Sequence, residues 1–177
     1  MPAPCFIVWN NATGALLGTA TIGAQPTAAV IGTPRTMLQI APSASAPIRV
    51  IEWGYLFTTT PTAPVIMELI DTATVFASVM TAHIAANIHK YNNPTGAASA
   101  VQLGAALTAY STGAVTEGTF GTANRLLAQT YDNALYFKQQ FPLGREPEVA
   151  AGQCLRVRAT PTAAVATSLL TYIAWEE

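Results

Sequence analysis

The sequence predicts an all-β fold, a jelly-roll-like two-sheet β-sandwich that follows an extended, uncharged N-terminal segment. Three observations lead there. Roughly eight runs rich in β-branched and aromatic residues are each bounded by Pro, Gly, Asn or Asp, the punctuation of a many-stranded sandwich. No stretch carries a convincing long helical period. Thr and Ala together supply roughly a third of the residues, well above ordinary usage, and Thr suits the solvated face of a strand. At 177 residues the chain is long enough for one hydrophobic core. It divides into residues 1–34, an arm or a first strand, and residues 35–177, the sandwich.

Met1 to Pro34 contains no charged residue and opens on the apolar run Cys5-Phe6-Ile7-Val8-Trp9. Disorder goes with high charge and low hydrophobicity, so this segment is expected to be ordered. Two placements stand open: a strand plus loop within the sheet, or an arm laid on a partner. Thr13-Gly14 and the small residues Thr19 to Gly23 supply turn chemistry behind the run. Arg35 to Ile40 is a short strand closed by Pro42, and Ser43 to Pro47 is a loop. Ile48 to Thr59 carries Val50, Ile51, Trp53, Tyr55 and Phe57 and is the strongest strand of the first half. Pro61 and Pro64 end it, since proline cannot continue a central ladder. Val65 to Thr72 follows as another strand with the single interior charge Glu68.

Thr74 to Tyr91 fits helix and strand equally, because short apolar runs do not separate the two. Ala97 to Leu107 is expected as a short helix through its alanines, weakened by Gly104. Tyr110 to Thr122, rich in Gly and Thr, reads as an extended connection of the kind that lets a Greek key cross between sheets. Arg125 to Tyr131 and Leu135 to Phe141 are two strands joined by the tight reversal Asp132-Asn133-Ala134. Cys154 to Thr160 alternates cleanly, with Leu155, Val157 and Ala159 on one face and Cys154, Arg156 and Arg158 on the other. The last run, Ala166 to Trp175, is apolar on both faces. That predicts a central strand or one covered by a neighbour.

Only 10 % of the residues are charged while 51 % are hydrophobic, and the net charge is −1. A surface with so little charge is either covered by Thr, Ser and Asn or buried against copies of the chain or a partner. No Lys/Arg run gives the footprint of a nucleic-acid binder. No segment offers about 18 consecutive apolar residues, and the start lacks a positive leader region, so neither a membrane span nor a secretory signal is expected. Cys5 and Cys154 stand near opposite ends of the chain and are expected as reduced, packed thiols.

Reactive signatures are missing. The sequence has no phosphate-binding loop, no Cys-x-x-Cys, no His-Glu-x-x-His and no Gly-x-Ser-x-Gly elbow. Glu52 and Glu68 occupy similar places in successive strands, an arrangement read as solvated-face carboxylates rather than an acid/base pair. His83 and His89, six residues apart, are too far separated on a strand for one metal and off the i, i+4 helical spacing, so both are structural or surface residues. No catalytic residue, metal or cofactor is expected, and the chain is not read as an enzyme.

The C-terminal pattern carries a resemblance. Gln139-Gln140-Phe141-Pro142-Leu143-Gly144-Arg145-Glu146, Leu155 to Thr160 and the terminal Tyr172-Ile173-Ala174-Trp175-Glu176-Glu177, together with Ile51 to Phe57 and Pro64 to Leu69, resemble small β-barrel proteins of tailed bacteriophages. These look like head decoration (cement) or minor capsid proteins, and the resemblance covers about residues 35–177. It implies a structural virion protein, a homotrimer on the outer capsid surface that bridges major capsid proteins, made in the host cytoplasm and mature in the virion. Its partners would be the major capsid protein and itself, with no direct nucleic acid and no membrane. On that reading the interface candidates are Phe6, Val8 and Trp9 in the N-terminal run, Arg145 and Glu146 in the Pro142 to Pro147 loop, and Trp175. Two other readings compete. A receptor- or carbohydrate-binding virion module would use Tyr91-Asn92-Asn93 or Tyr131-Asp132-Asn133, and a cupin-type enzyme would need converging His and carboxylate ligands.

Overall fold

A computed structural model describes residues 3–11, 25–27, 30–92, 95–164 and 167–177. The turn expected at Thr13-Gly14, the small residues Thr19 to Gly23, Asn93 and the start of the last run at Ala166 lie outside the described residues. The described chain is all-β, and its strands are β1 (Cys5–Trp9), β2 (Gln25–Pro26), β3 (Arg35–Ile40), β4 (Ile48–Phe57), β5 (Val65–Asp71), β6 (Thr81–Ala82), β7 (His89–Lys90), β8 (Ala109–Tyr110), β9 (Arg125–Asp132), β10 (Tyr136–Gln140), β11 (Glu148–Val149), β12 (Leu155–Pro161) and β13 (Ser168–Glu176). They form two antiparallel sheets. Sheet A runs β10-β4-β13-β1-β7, with β11 on β4 and β2 on β13, and sheet B runs β6-β8-β3-β12-β5-β9. This is a two-sheet β-sandwich.

The pairing follows one rule. Eight strands have five or more residues, and the first of them pairs with the last, β1 with β13. The second pairs with the seventh, β3 with β12. The third pairs with the sixth, β4 with β10, and the fourth with the fifth, β5 with β9. The chain is thus a long antiparallel double strand folded over on itself, and the fold brings β13 beside β4 and β12 beside β5.

Alternation decides which side chains fill the space between the sheets. Phe6 and Val8 of β1 point inward, as do Leu169, Thr171, Ile173 and Trp175 of β13, and all six are buried. Met67, Leu69, Leu155, Val157 and Ala159 meet them from sheet B. In β4 the inward set changes parity, from Ile48 and Val50 to Trp53, Tyr55 and Phe57. The cause is a bulge: Trp175 pairs with Val50 and Ala174 with Glu52, so Ile51 is an extra residue on that strand. The predicted central position of the last strand holds. β13 lies between β4 and β1 and is buried on both faces from Leu169 to Trp175.

Three local expectations differ from the structure. Thr74 to Tyr91 forms neither long helix nor long strand; it is an irregular strap with β6, β7 and one 3-10 turn, Ala85–Asn87. Ala97 to Leu107 is not helical. An isolated helix of one or two turns is marginal in water, and here the sheet rim offers the backbone better partners. Gln102 N donates to Ala41 O at 2.9 Å and Thr108 N to Gln102 O at 3.0 Å. The Asp132 reversal has the expected turn chemistry, with Ala134 N donating to Asp132 Oδ1 at 3.1 Å. Yet β9 and β10 are not hairpin partners, because the corner carries the chain from sheet B to sheet A.

β12 departs from simple amphipathicity. Its second face presents Arg156 and Arg158, both buried. The 111–124 connection covers them, laying the Phe120 ring 4.4 Å from the Arg158 guanidinium and 5.2 Å from that of Arg156. Glu117 from the same connection pairs with Arg156 at 3.2 Å, and Glu68 of β5 with Arg158 at 2.8 Å.

Candidate functional site

The outer face of sheet A carries the most distinctive surface among the described residues. Register sets it out in rows. Trp9 of β1, Tyr172 of β13, Gly54 of β4 and Lys138 of β10 lie side by side, and the next row is Leu170, Leu56 and Tyr136. The other row beside the first is Ala174, Glu52 and Gln140. Between the first two rows lies an open groove of about 180 Å³, lined by Trp9, Tyr55, Leu56, Tyr136, Leu170 and Tyr172.

Gly54 shapes this groove. A Cβ at that position would lie 2.7 Å from Phe137 O and 2.8 Å from Tyr172 Cε1, so only glycine lets the Tyr172 ring lie down across the strand. The ring packs against Trp9 with centroids 4.5 Å apart and planes tilted by 42°. Its hydroxyl donates to Glu52 Oε1 at 2.5 Å. The other Glu52 oxygen takes an ion pair from Lys138 Nζ at 2.9 Å. Burial first, then the Glu52 hydrogen bond and charge, hold the Tyr172 phenol far above its ordinary range. The same carboxylate raises Lys138, through its hydrogen bond and then its charge. A fixed minus–plus pair therefore stands behind the Tyr172 wall of the groove, and the groove itself is lined by aromatic and aliphatic residues.

The six residues marked out by sequence fall in three places. Phe6, Val8 and Trp175 lie in the core of the chain itself, with the Phe6 and Trp175 rings 5.9 Å apart. Their side chains face the opposite sheet, because alternation turns them to the side away from Trp9. Trp9 lines the groove. Arg145 and Glu146 sit beyond the far end of β10, in a turn closed by Arg145 N donating to Pro142 O at 2.9 Å, with Gly144 at φ +77°. The tip of that turn is Leu143, 93 % exposed. Sequence reasoning did not single out Gly54, Tyr136, Lys138, Tyr172 or Leu143 as site residues, and it read Glu52 only as a solvated-face carboxylate. The signal for Tyr172 was present, since the last run is apolar on both faces and only one of them can point between the sheets.

The remaining candidates are occupied or solitary. Glu52 and Glu68 lie on different sheets, each engaged by its own cation. His83 is buried against Tyr110 with centroids 4.8 Å apart, and burial lowers its pKa to about 4. His89 is exposed on β7. Cys5 and Cys154 are free thiols, and burial pushes Cys154 up to about 11. Tyr91 and Tyr131 are exposed, but the polar groups beside them serve the backbone. Asn92 bonds Cys5 N and Ala3 O, both at 2.9 Å, and Asp132 bonds the Ala134 amide. Among the described residues no three His, Cys, Asp or Glu side chains are placed to hold a metal ion, and no helix is long and apolar enough to cross a membrane.

No family model matches the chain, and no curated protein or solved structure matches it.

Proposed function

We propose that this chain is a structural virion protein, a head decoration or cement protein that binds the outer capsid surface as a homotrimer and bridges major capsid subunits. The observation that carries the reading is the strand pairing. A double strand of eight long strands, first with last through fourth with fifth, rolled into two sheets, supports a jelly-roll reading, an architecture common among viral capsid modules. Fold alone does not assign function, and two further features support the choice. Among the described residues, ion pairs such as Arg49–Glu176, Arg125–Asp71 and Lys138–Glu52 take up scarce charged side chains, which leaves a surface suited to contact rather than to free solvation. Apolar side chains also remain exposed along one edge, where Leu126, Tyr131, Leu135 and Tyr136 follow one another on β9, the corner and β10.

The test is binding to heads of the phage that encodes the chain, prepared without it. Purified protein added back should sediment with the expanded heads, saturate at a fixed copy number and raise their resistance to heat. Failure to bind, or binding without any gain in head stability, would overturn the reading.

A further inference from the structure

We infer that the groove between Trp9, Tyr136 and Tyr172 receives Leu143 from a second copy of this chain, so that the subunits join head to tail. The inference rests on the self-association in the reading above and names the contact that makes it. Leu143 is the most exposed large apolar side chain of the described residues, held out on a turn that Gly144 and the Arg145–Pro142 hydrogen bond keep closed. A rigid apolar knob is what a small preformed apolar pocket binds well, because little ordering is left to do on contact. A groove of about 180 Å³ with an aromatic and aliphatic floor is matched to one such side chain.

The knob cannot fill the groove of its own chain. Tyr136 begins β10 and Leu143 lies seven residues further on, past the other end of the strand. At about 3.4 Å per residue the two stand on the order of 20 Å apart. The occupant is therefore a neighbour. Charge supports a copy of the same chain. Arg145 and Glu146 beside the knob have no ion pair among the described residues, and the Tyr172 wall of the groove is flanked by the Glu52–Lys138 pair. Seating Leu143 sets a plus–minus pair against a minus–plus pair. Because knob and groove are different surfaces of one subunit, the contact is heterologous, and a heterologous contact with a closing rotation makes a ring.

Light scattering of the full chain on a sizing column tests this. The wild-type protein should run as a closed oligomer, a trimer on the reading above. Leu143→Glu should run as a monomer that still melts cooperatively, since the side chain is in solvent within one subunit and only the stabilisation given by association is lost. Tyr136→Glu, altering an exposed groove residue, should also be monomeric. Mixing the two variants should give dimers, because one supplies an intact knob and the other an intact groove. A wild-type monomer, an oligomer that survives Leu143→Glu, or variants that do not combine on mixing would each overturn the inference. A trimer that survives Leu143→Glu and still stabilises heads leaves the cement reading standing without this contact. A Leu143-dependent ring that ignores heads does the reverse.

Discussion

His83 is buried with neither ring nitrogen hydrogen-bonded among the described residues, so the neutral form is the one the fold accommodates. Its folded pKa of about 4 lies below the ordinary 6.5 because burial penalises the imidazolium. Between those two values the unfolded chain binds a proton that the native chain does not, so stability rises with pH across the window. At about 1.4 kcal/mol per pH unit the loss on acidification from pH 6.5 to 4 is roughly 3 kcal/mol. Denaturant titrations at a series of pH values should show this fall, and His83→Phe, which keeps a ring against Tyr110, should flatten it. An equal slope in the variant would assign the acid sensitivity to other groups. Gly54 gives a second test at this scale. Gly54→Ala drives a methyl into a backbone oxygen of β10 and the Tyr172 ring, neither of which is a flexible side-chain end. The expected cost is about 2 kcal/mol, in the range of overpacked sites, read as a lower urea midpoint with an unchanged slope.

At the scale of elements, the 111–124 connection acts as a lid on sheet B rather than as a plain crossover. Glu117 accepts hydrogen bonds from Thr36 N at 2.5 Å and Thr36 Oγ1 at 2.7 Å while pairing with Arg156. Arg156 also donates to Glu117 O at 2.9 Å and to Val75 O. Removing one partner of a buried pair leaves the other charge uncompensated, so Glu117→Ala should destabilise the protein by about 3 kcal/mol, and Glu117→Gln by less because an acceptor remains. Thermal melts of the two variants decide it. The sequence foretold β12 as an alternating strand, but a burial pattern with arginines on one side reads as a solvated face until the covering segment is known. β12 was legible through its strict alternation, and β1 and β13 as apolar runs rich in β-branched and aromatic residues. The two-residue strands were not, since two residues carry no period. The corner after Asp132 announced a reversal without saying that it changes sheets. For the groove, the parity within Cys5–Trp9 already set Trp9 opposite to Phe6 and Val8. The Ile51 bulge hid the matching alignment of Glu52, Gly54 and Leu56.

For the molecule as a whole, the first and last long strands are neighbours, and that makes the N-terminal run part of the sandwich. β1 pairs with β13 from Cys5 opposite Glu176 to Trp9 opposite Tyr172, and with β7 on its other side. Tyr91 N donates to Cys5 O at 2.7 Å and Glu177 N to Pro4 O at 3.1 Å, so both flanks are tied to it. Phe6 and Val8 together bury two large side chains, each worth roughly 1.5–3 kcal/mol, and their loss would also uncover Trp175 and one edge of β13. Against a total of about 5–15 kcal/mol for a typical domain, this is a large share. A chain starting at Asn10 should therefore lose its cooperative thermal transition and its near-ultraviolet aromatic signal. A sharp melt within a few degrees of the full chain would show instead that β1 is an appendage. The same reasoning bears on the proposed cement function: if the chain binds capsids, truncating residues 1–34 would abolish that binding through unfolding alone. Substituting Trp9, whose ring lies on the outer face, asks about contact without removing a strand. Trp9→Ala should weaken self-association while the melt stays cooperative.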